Sequence, residues 1–281
     1  MSNLSSQAAT PQLGHTISVA SILNKMVTPR RVDASETERA ILARATFMHV
    51  LHKGHRLAVW RWGTEGPLVL LVHGWDSRAS HLGAFVEPLL AAGYRVLAFD
   101  GPGQGDSEGV RSNVVDLGQA ILDVVEATGP VSAAIGHSMG SAALLYAFAH
   151  GLETRATVHI AGPSSLRGVL IRTAAMLELN MEQGRELISL MEGETGLPVD
   201  DMELSALAQG LRHPALILHD PEDREIPFGE SERLNTAWAQ ATLHPMPGLG
   251  HRRIISAVPA IDLSLELIAR HVPAHTQNSS M

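Results

Sequence analysis

The chain has 281 residues, of which 45% are apolar, and this is enough to build one α/β domain around a large core. Its formal net charge of −8 leaves no basic surplus to neutralise phosphates, and the pairs Arg30-Arg31 and Arg252-Arg253 are isolated, so nucleic acid is not an expected partner. The absence of cysteine excludes disulfides, thiol catalysis and thiolate metal sites.

The sequence also bears on location. It contains no uninterrupted run of about 18 apolar residues that could cross a bilayer, so no membrane partner is expected. Residues 1–14 lack the basic and apolar segments of a secretion signal. We therefore expect a cytoplasmic protein, and the sequence gives no indication of its oligomeric state.

The first part of the chain differs in character from the rest. Residues 1–40 are polar and mixed, and we interpret them as an extension packed on the core, with one short helix over residues 17–26 that ends at Thr28-Pro29. Two alternating runs follow over residues 45–52 and 56–62. The turn between them at Lys53-Gly54 predicts an antiparallel hairpin.

Beyond the hairpin, short apolar runs alternate with helical patterns. Such runs are typical of strands buried on both faces of a sheet. They cover residues 68–72, 96–99, 131–135, 157–160 and 215–218, with a further strand around residues 242–246. Helical patterns lie between them, for example over residues 82–92 before Gly93 and over residues 114–128 before Gly129. The alternation predicts an α/β fold with a mostly parallel sheet and right-handed crossovers.

One long segment interrupts this alternation and determines the domain organisation. Residues 163–212 show helical periodicity, and we expect a helical cap over the carboxyl edge of the sheet, where it would shape access to a ligand. An ordinary helical crossover with one additional hairpin is the alternative. The predicted organisation is an extension over residues 1–40, a main domain over residues 41–275 that carries the cap, and a disordered polar tail over residues 276–281.

A glycine-flanked serine stands at a predicted corner between a strand and a helix. Gly136-His137-Ser138-Met139-Gly140 lies between the apolar run 131–135 and a helical stretch over residues 142–148. At such a corner the serine backbone is strained, and glycines two residues before and after it leave room for the tight turn. The motif alone is weak evidence, but its flanks favour a nucleophilic serine.

A serine nucleophile needs a base to take its proton and a third group to orient that base. An acid-rich turn, His219 to Pro227, follows the predicted strand over residues 215–218. The segment Gly248-Leu249-Gly250-His251 follows the next strand. The chain order is therefore serine, acid, histidine.

Four motifs in this order resemble those of the α/β-hydrolase superfamily, and the resemblance extends over residues 68–271. His73-Gly74 is similar to the family's oxyanion-loop motif, and the segment Asp100 to Ser107 is similar to its turn after the next strand. The serine corner and Gly250-His251 complete the set. The resemblance implies an α/β-hydrolase fold, with helices on both faces of the sheet and a small helical cap.

The resemblance also implies a catalytic role for three side chains. Ser138 would be the nucleophile, His251 the general base and acid, and Asp223 the carboxylate that orients His251. The backbone N–H groups of Trp75 and Met139 would form the oxyanion hole, because the family takes one donor from the residue after the nucleophile and one from the loop after the first parallel strand.

The turn after the strand over residues 215–218 offers more than one candidate for the acid. Asp223 is preferred to Asp220 and Glu222 because the family places its acid three to four residues before a Val/Ile-Pro pair, which is Ile226-Pro227 here. Asp220 stays open as the alternative. Asp100 also ends a strand near the site, but in this fold such an aspartate more often holds the loop.

The substrate pocket is predicted in less detail. His73, His137 and Met176 are candidate pocket residues, and His137 is expected to point away from the serine hydroxyl. The Trp75 indole either limits the size of the acyl group or packs against the cap. Met176 either fills the core of the cap or lines an acyl pocket. The histidines are scattered, so neither a metal site nor a cofactor is expected.

These features favour a cofactor-independent serine hydrolase of carboxylic esters that acts on a small-molecule substrate. Lactone opening, carbon-carbon bond hydrolysis and acyl transfer on the same three side chains are alternatives, since one scaffold hosts many chemistries. Haloalkane dehalogenases and epoxide hydrolases are disfavoured because they carry aspartate where Ser138 stands. A non-catalytic ligand receptor is a further alternative from another class.

Overall fold

The structure is a computed structural model that describes residues 18–274. The predicted tail 276–281 and the first residue of the predicted helix 17–26 lie outside this range. Within it, one sheet contains eight strands in the order β1-β2-β4-β3-β5-β6-β7-β8. The strands are β1 (Thr46–His52), β2 (His55–Trp62), β3 (Leu68–Val72), β4 (Arg95–Phe99), β5 (Ala133–His137), β6 (Ala156–Ile160), β7 (Ala215–His219) and β8 (Ala241–Pro245).

The directions of the strands confirm the predicted α/β class. β1 pairs antiparallel with β2, and β2 pairs antiparallel with β4, whereas the remaining pairs are parallel. The turn from β1 to β2 has positive φ at Lys53 (47°) and Gly54 (83°). Positive φ at both central residues is the geometry of a two-residue hairpin turn, so the predicted hairpin is confirmed.

Eleven α-helices are assigned within the described residues. They are α1 (Val19–Val27), α2 (Glu36–Leu42), α3 (Val86–Ala91), α4 (Val114–Thr128), α5 (Met139–Ala149), α6 (Leu166–Met176), α7 (Met181–Thr195), α8 (Leu204–Ala208), α9 (Gly229–Ala237), α10 (Gly250–Arg253) and α11 (Val258–His271). Short 3₁₀ segments occupy Ala79–Phe85, Val199–Met202 and Ile254–Ser256. Within residues 18–274, no helix is both long enough and apolar enough to span a bilayer.

Helices cover the sheet on both faces, and the central strands show why. Leu68, Leu70 and Val72 of β3 contribute to the apolar layer shared with α4 and α5. Val69 and Leu71 contribute to the opposite layer, which contains residues of α3 and α11. Successive side chains of a strand point to opposite faces, so an unbroken apolar run is what a strand between two helical layers requires.

The segment between β6 and β7 contains α6, α7 and α8 and packs against the N-terminal helix. A third apolar cluster joins α1 to this segment through Val19, Ile22, Leu23, Val27, Leu170, Leu187, Met191 and Val199. α1 begins at a Ser18 cap, whose Oγ accepts a hydrogen bond from the Ser21 N–H at 3.2 Å. The N-terminal segment is therefore connected to the inserted helices.

Two sequence-predicted elements differ from the structure. The pattern over residues 82–92 predicted one helix, but the chain forms the 3₁₀ segment Ala79–Phe85 and then α3. Pro88 lacks an N–H and is tolerated only in the first turn of an α-helix, so the α-helix starts at Val86. The strand predicted over residues 131–135 is displaced to β5, which pairs Ala133 with Val69 and Gly136 with Val72.

Candidate active site

Ser138 occupies the corner between β5 and α5 with φ 53° and ψ −122°. This backbone conformation is one that residues with a side chain rarely adopt. The corner turns the chain from the carboxyl end of β5 directly into α5, because Met139 is the first residue of that helix. Ser138 is only partly buried, so its hydroxyl stands at the carboxyl edge of the sheet where a ligand can reach it.

The glycines around Ser138 are required by space. A Cβ on Gly140 would clash with the carbonyl oxygens of Val72 and His73. A Cβ on Gly136 would lie 2.8 Å from the Gly140 carbonyl oxygen, and these are backbone atoms that cannot move aside. The sequence predicted glycines here because a tight turn needs room. In the structure the room is needed because the backbone of β3 and of the corner itself comes close to these two positions.

Three side chains from three loops form one hydrogen-bonded chain. Ser138 Oγ lies 3.0 Å from His251 Nε2, and His251 Nδ1 lies 2.7 Å from Asp223 Oδ2. Ser138 follows β5, Asp223 follows β7 and His251 follows β8, so all three lie at the carboxyl ends of parallel strands of the same sheet. The carboxylate can only accept, so His251 donates from Nδ1 and presents the lone pair of Nε2 to the serine hydroxyl.

The side chain of Asp223 is fully buried and is held as a carboxylate by several donors. Its Oδ1 accepts hydrogen bonds from the N–H groups of Glu225 (2.7 Å) and Ile226 (3.0 Å). Burial alone would raise the pKa of Asp223, but hydrogen bonds from His219, His251 and the Ile226 N–H hold this pKa far below its ordinary value. The group therefore carries a negative charge beside His251 at neutral pH.

His219 is a second histidine on the same carboxylate, and the sequence did not reveal this role. Its Nε2 lies 3.2 Å from Asp223 Oδ2 and 3.1 Å from the Ile226 carbonyl oxygen. Both of those oxygens only accept, so Nε2 carries the proton, and Nδ1 lies 2.7 Å from Ser231 Oγ. The signal in the sequence is a histidine at the last position of β7, four residues before the acid.

Asp220, the alternative acid, accepts hydrogen bonds from the backbone of two loops, the one after β7 and the one after β8. Its Oδ1 accepts a hydrogen bond from the Glu222 N–H at 2.9 Å, and its Oδ2 accepts one from the Gly250 N–H. Gly250 directly precedes His251, so Asp220 holds the loop that carries the histidine. The structure brings Asp223, and not Asp220, onto the imidazole.

The two predicted oxyanion donors lie next to Ser138. Met139 N–H is at the start of α5, where the helix dipole also favours negative charge. Trp75 follows Gly74, and a Cβ on Gly74 would lie 2.9 Å from Ser138 Cβ. Within residues 18–274, neither N–H donates a hydrogen bond to a protein acceptor.

Two buried side chains hold the loops beside Trp75. Asp100 accepts hydrogen bonds from the N–H groups of Ala79 (2.7 Å) and Asp106 (2.6 Å), and burial raises its pKa to about 6. His73 accepts from the Gly101 N–H (2.8 Å) and donates to the Gly74 carbonyl oxygen (2.7 Å). Burial lowers the pKa of His73 to about 4, so the ring stays neutral. The expectation that His73 lines the substrate pocket is wrong, because both of its nitrogens are used within the loops.

An apolar pocket of about 270 Å³ opens on one side of Ser138. Its wall combines three parts of the chain: the main domain, the segment between β6 and β7, and the N-terminal segment. The side chains that define it include Met26, Val27, Trp75, Met139, Val169, Met191, Leu204 and Ile226. Nearly the whole wall is apolar, which is typical of a site for a hydrophobic group.

A second and more polar cleft of about 350 Å³ also has Ser138 in its wall. Ser138 and Trp75 belong to both spaces, whereas His251 and His137 line only the cleft. Charged side chains share its wall, among them Glu38, Asp76, Glu225 and Arg252. Ser138 and Trp75 thus border both the apolar pocket and the polar cleft.

Two further pocket expectations have different outcomes. His137 Nε2 donates to the His251 carbonyl oxygen at 2.9 Å, and burial lowers its pKa to about 3, so it supports the histidine loop as a neutral ring. Met176 does not line either compartment, and this expectation is wrong. It is 76% exposed at the end of α6, two turns or about 10.5 Å beyond Val169, which does line the apolar pocket.

No metal-binding arrangement is found in the described part of the chain, where no group of three or more histidine, aspartate or glutamate side chains could hold an ion. The side chains that the structure brings together at the site are those of Ser138, His251, Asp223 and His219. A hydroxyl with a base at 3.0 Å, an oriented imidazole and two free N–H groups is an arrangement suited to attack on a carbonyl carbon.

Fold and site together define a class of protein, an α/β protein with a strained serine corner at the carboxyl edge of its sheet. A family model described as the alpha/beta hydrolase family matches residues 69–261, which is more than half of the chain. The protein belongs to this family. Among curated proteins, no sequence matches the chain.

Solved structures share the fold at low sequence identity. An esterase of Pyrococcus furiosus has a TM-score of 0.66 at 22% identity, over 88% of this chain and 98% of that one. Est1E of Butyrivibrio proteoclasticus has a TM-score of 0.62 at 18% identity, over 79% and 99%. A predicted CIB-like hydrolase of Thermoplasma acidophilum has a TM-score of 0.60 at 15% identity, over 80% and 98%. At these identities the likeness shows the fold, which is the α/β-hydrolase fold implied by the motifs.

Proposed function

We propose that the protein is a serine hydrolase that cleaves carboxylic esters of small molecules. The observation that carries the proposal is the hydrogen-bonded chain from Ser138 through His251 to Asp223, with 3.0 Å and 2.7 Å between the paired atoms. Membership of the alpha/beta hydrolase family supports a hydrolytic reaction, and the esterases among its structural relatives agree with it. The ester as the bond cleaved is our inference from the site.

Acylation begins when Ser138 Oγ attacks the ester carbonyl carbon while His251 Nε2 takes the hydroxyl proton. The negative charge that develops on the carbonyl oxygen is stabilised by the N–H groups of Met139 and Trp75. Asp223 keeps the imidazole in the required tautomer and stabilises its positive charge. The bond from the carbonyl carbon to the alcohol oxygen then breaks, and His251 returns the proton to the leaving alcohol.

Deacylation repeats these steps with water. His251 takes a proton from the water as its oxygen attacks the acyl carbon, and the tetrahedral intermediate collapses to release the carboxylic acid. The same proton then returns to Ser138 Oγ, so the enzyme is restored. No redox partner or other reactant is required, and ester and water are the only species consumed.

The two compartments indicate how a substrate lies. The leaving oxygen must come within hydrogen-bond reach of His251 Nε2 to receive its proton. His251 lines the polar cleft, so the alcohol part belongs there, and the acyl part extends into the apolar pocket. We therefore propose esters with a hydrophobic acyl chain and a more polar alcohol.

The test is hydrolysis of p-nitrophenyl esters from acetate to dodecanoate by the wild-type protein, Ser138→Ala and Ser132→Ala. Ser132 precedes β5 at the end of the strand opposite Ser138, so its variant is a matched control. We expect Ser138→Ala to lose essentially all turnover with an unchanged circular dichroism spectrum, and Ser132→Ala to keep it.

The same series separates the proposal from its alternatives. Ester turnover retained by Ser138→Ala would contradict the role of the serine. A folded wild-type protein that cleaves none of the esters would contradict ester hydrolysis as the reaction, and lactones, carbon-carbon substrates and acyl acceptors would be assayed next. Binding of esters without turnover would indicate a receptor.

A further inference from the structure

Residues 18–34 precede the region that matches the family model, yet they reach the active site. The segment consists of α1 and of an extended stretch that leads toward α2. Met26 and Val27, the last two residues of α1, line the apolar pocket together with residues of the inserted helices. The segment therefore forms part of the wall of the apolar pocket and not only part of the outer surface.

The extended stretch is fixed to the main domain by directional hydrogen bonds. The Val27 carbonyl oxygen accepts from the Ser112 N–H at 2.8 Å. Arg31 donates to the carbonyl oxygens of Gly105 (2.7 Å) and Gly109 (2.9 Å). Arg30 donates through its N–H and its Nε to the two Asp76 carboxylate oxygens, each at 2.7 Å. Asp76 follows Trp75, so the segment is also linked to the loop of the proposed oxyanion hole.

The helix itself is fixed to the inserted segment. Its apolar residues share a buried cluster with α6 and α7, and Met191 of α7 belongs both to this cluster and to the pocket wall. On the surface, Arg111 donates to Glu194 of α7 at 2.6 Å and to Asn24 of α1 at 2.9 Å. The end of α1 is therefore held in one position relative to both the main domain and the inserted helices.

We propose that α1 is a specificity element of the acyl pocket and that Met26 limits the length of the acyl chain the enzyme accepts. This inference rests on the proposed function, since it assigns the apolar pocket to the acyl group. Val27 is fully buried and fixes the end of the helix, whereas Met26 is only partly buried and its flexible thioether side chain borders the free space. The substrates would be esters of aliphatic carboxylic acids.

Substitutions that shrink and enlarge the side chain test this role in opposite directions. We expect Met26→Ala to raise the ratio of kcat/KM for p-nitrophenyl decanoate over butanoate by about tenfold, the effect of one or two methylene groups in an apolar pocket. Met26→Trp should lower the same ratio. The control is Lys25→Ala, which alters the neighbouring exposed residue of α1 and should leave the ratio unchanged.

Binding of saturated carboxylic acids from butanoate to dodecanoate, measured by calorimetry, extends the test to a protein without turnover. Met26→Ala should shift the best-bound acid to a longer chain, and Met26→Trp to a shorter one. If both folded variants keep the wild-type order of chain lengths in both assays, the proposal is wrong and α1 has a structural role only. Absence of ester cleavage by the wild-type protein would count against the proposed reaction, while the binding order would still decide the role of Met26.

Discussion

Asp223 accepts hydrogen bonds on both carboxylate oxygens, and one oxygen, Oδ2, receives two histidine donors. The first, His251, takes part in the proposed chemistry, and the second, His219, helps to fix the position of the carboxylate. Asp220 lies three residues earlier in the same turn but accepts from backbone N–H groups. Asp223 therefore orients an imidazole, whereas Asp220 orients the backbone, and their amide variants should lower kcat to different extents.

We expect Asp223→Asn to lower kcat for an ester by about 10⁴-fold, because an amide cannot hold His251 in the required tautomer. Asp220→Asn should cost less than about tenfold, since the amide oxygen can still accept from one backbone N–H group. Steady-state kinetics of the two purified variants, with urea unfolding to confirm that each is folded, make the comparison. If Asp220→Asn lowered kcat as much as Asp223→Asn or more, the assignment of Asp223 as the carboxylate that orients His251 would be wrong.

Two glycines at the C-terminal end of α7 have opposite conformational requirements. Gly193 lies within the helix, and a Cβ added there would meet nothing within 4 Å. Gly196 follows the helix with φ 73°, in the left-handed region, and its N–H donates to the Glu192 carbonyl oxygen. A Cβ on Gly196 would also meet nothing within 4 Å, so backbone conformation and not space distinguishes the two positions.

Gly193→Ala should therefore stabilise the protein by about 0.5–1 kcal/mol, because alanine loses less conformational entropy than glycine on forming a helix. Gly196→Ala should destabilise it by about 1–2 kcal/mol, because an alanine side chain disfavours the left-handed conformation. Urea unfolding of both variants measures the two changes. If the two variants shift the urea midpoint in the same direction, the conformation assigned to the C-terminal end of α7 is wrong.

Elements whose ends are encoded locally could be predicted, and features that depend on distant residues could not. α4 has the predicted bounds because Asn113 caps its start and Gly129 ends it. The chain order of Ser138, Asp223 and His251 was likewise readable, since each follows a recognisable strand. The contribution of Met26 to the pocket was not, because it depends on how α1 packs against α7. Met176 was misplaced for the same reason.

Buried histidines make the stability of the protein depend on pH. Burial lowers the pKa of His73 to about 4 and those of His137 and His159 to about 3, whereas the ordinary value is about 6.5. Below pH 6.5 these histidines are protonated in the unfolded chain but stay neutral in the folded protein. The free energy of unfolding therefore decreases as the pH falls from about 6.5 toward 4. Asp100 acts in the opposite direction, because its pKa is raised to about 6 and the folded state takes up its proton first.

These three histidines and His213, whose pKa burial also lowers to about 4, act against Asp100 and His52, whose pKa values are raised. The balance is a net loss, and we expect the free energy of unfolding to decrease by roughly 3 kcal/mol between pH 7.5 and pH 5.5. His159→Gln should reduce this pH-dependent loss by about 1 kcal/mol, whatever the variant costs in packing at both pH values. Urea unfolding at the two pH values measures it, with the exposed His55→Gln as the control. A His159→Gln protein with the full wild-type loss would show that the buried ring is not involved.

Covalent labelling with a fluorophosphonate, followed by intact-mass measurement and peptide mapping, tests whether Ser138 is the nucleophile. Serine attack on phosphorus releases fluoride and leaves one phosphonyl group on the oxygen. We predict a single adduct on the wild-type protein, located at Ser138, and none on Ser138→Ala under the same conditions. An adduct on a different residue, or one that persists in Ser138→Ala, would contradict the proposed mechanism.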